Sequence, residues 1–190
     1  MTGPAVLERI EVETRELGFG MGSDPGVGSL LASLAASKPA GAILEIGTGT
    51  GLGAAWILSG MDARSTLTTV ESDEAVVAVA RRWLGTDPRI EFVVGDGGVF
   101  LERADPERYD LIFADSWPGK FSHLDEALRA LRVGGVYVID DLLPQPNWPE
   151  DHPPKVERLV AELMQRADLV ITRLAWSTGV IIATKRVRER

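Results

Sequence analysis

Five apolar runs of strand length, each followed by a helical repeat, occupy the chain from Ala42 to Met164, and few architectures accept that alternation. The runs are residues 42–46, 66–70, 90–94, 111–114 and 136–139. The helical patterns carry Ala54, Ala55, Trp56 and Leu58 after the first run, residues 73–84 after the second and a short stretch near 98–103 after the third. Leu124, Ala127, Leu128 and Leu131 form one stripe after the fourth. After the fifth comes a Pro-rich stretch, 143–154, whose Pro153 and Pro154 open a helix with Val156, Leu159, Val160, Leu163 and Met164 on one face. Such β–α repetition predicts an α/β fold, a doubly wound, mostly parallel sheet with helices on both faces. Two closing runs, 169–174 and 180–184, are separated by too few residues for a crossover helix, so they should pair as an antiparallel hairpin and bring the sheet to seven strands.

Ahead of the first run, Val6, Leu7, Ile10 and Leu17 share a helical face, and Asp24 followed by Pro25 starts a second helix reaching about Ser37. The whole chain, 1–190, reads as one domain, with helices in 1–40 and the alternating core in 41–190. There is no cysteine, which excludes a disulfide framework, a thiolate nucleophile and Cys-ligated zinc. The 20 Lys and Arg against 28 Asp and Glu give a net charge of −8, so the general electrostatic footprint of a nucleic-acid binder is missing. No apolar run reaches the ~20 residues that would span a bilayer, and the polar start, 1–13, lacks the pattern of a signal peptide. A cytoplasmic protein without membrane or nucleic-acid partners is the expectation.

A doubly wound sheet holds its ligand beyond the carboxyl ends of its strands, so the chemistry belongs there. The first end reads Glu45-Ile46-Gly47-Thr48-Gly49-Thr50-Gly51-Leu52-Gly53, a turn whose glycines let backbone approach a ligand closely. Two patterns fit it. Gly49 to Ala54 satisfies the dinucleotide form G-x-G-x-x-A; Glu45, Gly47, Gly49 and Gly51 satisfy acidic-x-G-x-G-x-G, which admits an amino acid and a sulfonium. Glu71, followed by Ser72, ends the second strand, where a carboxylate can accept both hydroxyls of a ribose. Asp96, in Gly95-Asp96-Gly97-Gly98, suits either an exocyclic adenine amine or a helix N-cap. Asp115 ends the fourth strand and Asp140-Asp141 the fifth. Three carboxylates on one edge repel unless something positive sits between them, a hard cation or a lysine.

Taken in that order, these motifs resemble the S-adenosylmethionine-dependent methyltransferases of the Rossmann-like class. More narrowly, the chain is similar to the small cation-dependent O-methyltransferases that include the catechol and caffeoyl-CoA enzymes. The resemblance implies that residues 1–40 cap the cofactor site and that Met21 and Ser23 cover the methionine end of S-adenosylmethionine. It further implies that Glu45, Gly47, Thr48, Gly49 and Gly51 form the cofactor loop, that Glu71 and Ser72 hold the ribose, that Asp96 and Gly97 lie near adenine, and that Asp115 and Trp117 flank the cofactor. Asp115, Asp140 and Asp141 match the family's ligands for Mg²⁺ or Ca²⁺, with Asp141 where Asn is usual. The family's catalytic lysine falls at Pro118 here, and Lys120 is the nearest substitute as general base, with Asp115 beside it as the second catalytic candidate.

The implied reaction is in-line methyl transfer to a hydroxyl of a small molecule, with Trp117, Trp148 and Trp176 available to line the acceptor pocket and Trp56 assigned to the core. The N-terminal helix is a candidate homodimer surface. Two rivals stay open: an NAD(P)-dependent oxidoreductase, which the G-x-G-x-x-A match favours but the missing Tyr-x-x-x-Lys pair does not, and an S-adenosylmethionine-binding module without catalysis.

Overall fold

A computed structural model describes residues 3–146 and 148–187; Met1, Thr2 and Asn147, which fall in the N-terminal and Pro-rich segments read above, lie outside the described residues. The sheet is built on β1 (Ala42–Ile46), buried at every position. Parallel to it on one side run β2 (Thr66–Glu71) and then β3 (Ile90–Val94). On the other side lie β4 (Tyr109–Ala114) and β5 (Leu131–Ile139), also parallel. The hairpin of β6 (Leu169–Leu174) and β7 (Val180–Lys185) closes the sheet, with β7 antiparallel to both β5 and β6. The seven strands therefore lie in the order β3-β2-β1-β4-β5-β7-β6, and the direction of winding reverses between β1 and β4.

The period-2 alternation of β1 decides what covers each face. Ile43 points into a cluster with Leu67, Leu111, Phe113 and Val138, covered by α1 (Leu7–Leu17), α2 (Pro25–Ala36), α3 (Leu52–Gly60) and α4 (Glu74–Leu84). Leu44 and Ile46 point the other way, toward Ile112, Tyr137 and Ile139 under α5 (Gly97–Arg103), α6 (Leu124–Ala130) and α7 (His152–Met164). Each fully buried Leu or Ile contributes about 1.5–3 kcal/mol of apolar transfer, and both faces are lined with them. Trp56 is buried, in α3. No helix among the described residues is long and apolar enough to cross a membrane.

Three local expectations are corrected. Leu131 belongs to β5, not to the preceding helix; Gly134, at φ 79°, interrupts the alternation and hides the first half of that strand. Leu17 and Met164 are exposed, since each is the last residue of its helix and lies beyond the packed face.

Candidate active site

At the carboxyl ends of the parallel strands, where the winding reverses, lies a cavity of about 660 Å³, a size typical of ligand sites. Its floor is the glycine turn after β1. The N–H groups of Gly47 and Thr48 donate to the Val70 carbonyl at 2.9 and 3.1 Å, and Gly51 N–H donates back to Thr48 at 2.9 Å. Gly47 has φ 99°, and a Cβ there would sit 2.6 Å from the Asp115 carbonyl oxygen, so only glycine lets the ends of β1 and β4 lie this close. Gly51, at φ 98°, is the N-cap of α3 and abuts Ala80; it shapes the turn but is not part of the cavity wall.

Glu71 is fixed at the rim. Its Oε2 accepts from Gly49 N–H at 2.9 Å, and its Oε1 accepts from the N–H groups of Ser72 and Asp73 at 2.8 and 3.1 Å. Asp96 caps α5 by accepting from Val99 N–H at 2.9 Å and also lines the cavity. The segment from Phe19 to Asp24 forms the opposite wall, Met21 and Ser23 included. Thr14, in α1, ties that wall to the turn by donating to the Thr50 hydroxyl at 2.8 Å, and Ser23 donates to Asp115 Oδ2 at 3.0 Å.

Glu45 is not in the cavity wall. By alternation it shares the Ile43 face, where it is fully buried, with Oε1 beside Gly53 in the first turn of α3. Thr69 donates to its Oε2 at 2.6 Å, and the Thr48 and Thr69 hydroxyls lie 2.6 Å apart. Burial, reinforced by the charge of Glu71 and only partly offset by Thr69, pushes its carboxyl up to about 8. It is a neutral acid beneath the turn.

The other half of the cavity is lined by Trp117, Lys120, Asp140, Asp141, Trp148 and His152, among others. Lys120 is only 5% exposed. A tight turn carries it inward: Gly119 N–H donates to the Ser122 carbonyl at 2.7 Å, and the Tyr137 hydroxyl donates to the Gly119 carbonyl from below. Asp115 and Asp140 face one another. Burial and then mutual repulsion raise Asp115 far above the ordinary carboxylate range; burial raises Asp140 as well, and the Lys120 ammonium pulls both back. Two carboxyls so placed share a proton.

Asp141 turns aside from that pair. Its Oδ1 accepts from Trp148 Nε1 at 2.7 Å, and its Oδ2 faces His152 Nε2 at 3.5 Å. Among the described residues no three His, Asp, Glu or Cys side chains come together as a set that could hold a metal ion. The three expected ligands for Mg²⁺ or Ca²⁺ are divided here: Asp115 and Asp140 face one another, with Lys120 lowering the proton affinity of both, and Asp141 accepts from an indole beside an imidazole. Trp176 is also corrected, lying 47% exposed against Gly26 at the start of α2 and outside the cavity. Sequence reasoning missed Phe19, His152 and Thr178; His152, one of two histidines in the chain, was hidden behind the prolines that follow it.

A family model described as a methyltransferase domain matches residues 44–142. A proposed O-methyltransferase of Mycolicibacterium vanbaalenii is 36% identical over 131 residues, 66% of this chain, and the matched part spans only 58% of that relative. Among solved structures, a proposed O-methyltransferase from Klebsiella pneumoniae is 26% identical with a TM-score of 0.85, covering 98% of this chain and 92% of that one. The O-methyltransferase TomG from Streptomyces achromogenes, solved with SAM, shares the fold at 24% identity and a TM-score of 0.84, over 98% of this chain and 93% of its own.

Proposed function

The chain belongs to the methyltransferase domain family, and from that premise we propose that its cavity holds S-adenosylmethionine and passes the methyl group to a hydroxyl of a small molecule. The observation that carries the reading is the pairing of a side-chain-free turn at Gly47 and Gly49 with the Glu71 carboxylate fixed at its rim. Bare backbone at Gly47 and Gly49 in the cavity wall fits a ligand lying directly on it, and the cavity is large enough for a nucleoside and an acceptor together. Glu71 would hold the ribose, Asp96 and Gly97 the adenine, and Met21, Ser23 and Asp115 the amino-acid end. When bound, the cofactor supplies a methyl group already activated by sulfonium charge.

The chain's own work is alignment, charge and exclusion of water. Asp115 is held by Ser23 and faces Asp140, so the junction between the two halves of the cavity is rigid. Lys120 is the sole ammonium or guanidinium among the described residues lining the cavity, and in this reading it would stabilise the negative charge that develops on an acceptor oxygen. Its place inside the site, not on an outer loop, also favours an enzyme over an inert binder. No step of this reading runs through a divalent cation. A chelator is expected to leave methyl transfer to a panel of small phenols unchanged; loss of activity restored by Mg²⁺ would return the cation to the three aspartates.

Calorimetric titration tests the cofactor half. S-adenosylhomocysteine is expected to bind and NADH is not; hydride transfer would also lack its acid here, since Tyr137 is bonded to Gly119 and Tyr109 lies outside this cavity. Glu71→Ala should weaken S-adenosylhomocysteine about 10- to 100-fold, the worth of hydrogen bonds to a charged group. NADH binding with no response to S-adenosylhomocysteine would make the protein an oxidoreductase.

A further inference from the structure

We infer that the turn between β6 and β7 is a strut across the cavity, through which a cofactor held at the Ser23–Asp24 wall orders the acceptor wall after β5; the inference rests on the methyl-transfer reading above. The turn runs from Ala175 to Gly179. One end of it rests on the start of α2. The Ser177 hydroxyl donates to Asp24 Oδ1, and the same oxygen accepts from Gly26 N–H at 2.8 Å, capping the helix. The Trp176 indole lies on Gly26, where a Cβ would come within 3.1 Å of the ring. The footing is firm, because Val27 and Leu31 of α2 are fully buried. Asp24 lines the cavity beside Ser23, so a ligand filling that wall touches the residue on which the turn is fastened.

The other end holds the loop that carries the acceptor wall. The ladder between β5 and β7 stops at Ile139 and Ile181. Beyond it the bonding resumes off the sheet: Leu142 N–H donates to the carbonyls of Thr178 and Gly179 at 3.0 and 3.1 Å, and Leu143 N–H donates to that of Thr178 at 2.8 Å. Gly179, at φ 85°, lets the two backbones meet, since a Cβ there would stand 2.6 Å from the Leu143 nitrogen. Gln145 and Trp148, farther along the same loop, line the cavity, as does Thr178 in the turn itself.

Ser177 shows that both attachments bear on the turn at once. It has φ 56°, a left-handed backbone that glycine adopts freely and serine does not. Such a conformation persists where the surroundings impose it, and here they are the Asp24 carboxylate on one side and the backbone of Leu142 and Leu143 on the other. The bond to Asp24 is exposed, which places it among the first to open in local fluctuations. A cofactor that fixes Asp24 keeps it closed, and order passes along the turn to Leu142 and Leu143 as lost freedom instead of displacement. The second tie between the halves, Ser23 to Asp115, lies at the ends of the paired strands, where Asp115 N–H donates to the Ile46 carbonyl at 2.9 Å, and stops short of this loop. Trp176 and Ser177 are thus positioning residues, acting on the acceptor wall from outside the cavity.

The test reads amide hydrogen exchange by NMR on the intact protein, with and without saturating S-adenosylhomocysteine. In wild type the ligand should slow exchange at Leu142 and Leu143 by about 5-fold or more, the low end of ordinary coupling between sites. Trp176→Ala and Ser177→Ala should still bind S-adenosylhomocysteine within a few fold of wild type by calorimetry, yet lose that slowing. Trp176→Phe, which keeps a ring on Gly26, should retain most of it. The β1 amides, buried in the middle of the sheet, should exchange alike in all four proteins. Equal slowing in wild type and both alanine variants overturns the inference, and so does its absence in wild type. Faster exchange in β1 that keeps step with Leu142 and Leu143 would reduce the turn to a support of the whole fold, and loss of S-adenosylhomocysteine by both alanine variants would move it into the cofactor site; either also overturns it. Failure of wild type to bind S-adenosylhomocysteine overturns the methyl-transfer reading instead.

Discussion

Lys120→Met is expected to lower the rate of methyl transfer by about 100- to 1000-fold while leaving S-adenosylhomocysteine affinity within a few fold, a size typical of removing one group that stabilises developing oxyanion charge. Gly119 at φ 83° and the Tyr137 hydroxyl beneath it bring the ammonium inside, where it lowers the proton affinity of both Asp115 and Asp140. Methionine matches the length and keeps the packing but removes the charge. The two carboxyls then hold their shared proton more tightly, and an acceptor oxygen losing its own proton meets a cavity wall that carries carboxylates and no cation. Because two buried carboxyls lose their partner, the melting temperature should fall as well. The separation of effects is the check: rate measured with a phenol panel, affinity by calorimetry. A variant that turns over as fast as wild type would assign the lysine to electrostatics of the fold, and one that loses S-adenosylhomocysteine would move it to the cofactor half.

The glycine turn was legible because its residues encode backbone directly. A run with glycine at every second position after a buried strand can do little but turn tightly, and Gly47 does so against Asp115. Glu71 and Asp96 were legible by position, as polar residues that stop an apolar run. Glu45 was misjudged although its alternation was available: sharing a face with Ile43, it had to lie under α3 and not at the mouth of the sheet. The pair of Asp141 with His152 was hidden for a different reason. It is made across the Pro-rich loop after β5, and no local pattern records which way such a loop folds back. The parting of the three aspartates was hidden similarly, since spacing placed the carboxylates on one edge while Asp115 and Asp140 turned to each other and Asp141 to Trp148. Repulsion demanded a positive partner; only the fold decided which.

Glu45→Gln is expected to make the protein more stable at neutral pH, by on the order of 3 kcal/mol at pH 7, and to have almost no effect near pH 4.5. Glu45 is fully buried, its carboxyl is raised from 4.5 to about 8, and its Oε1 has no partner. A raised acid binds its proton more tightly folded than unfolded. Between pH 4.5 and 8 the unfolded chain therefore releases a proton that the native state keeps, and stability falls as pH rises through that window. Below it both states are protonated; above it both are ionised and the penalty is constant. Glutamine preserves shape, still accepts from Thr69, and cannot titrate. Asp115 and Asp140 also favour the native state at low pH in both proteins, and the Glu45 charge is only the last of the causes that raise Asp115, so the difference between the two melting curves is dominated by Glu45. For a domain of this length the gap should approach about 6–12 °C at pH 7, opening from near zero at pH 4.5. Parallel melting curves across that range would mean that Glu45 is ionised in the native protein, and the glycine turn would then rest on a negative charge instead of a neutral acid.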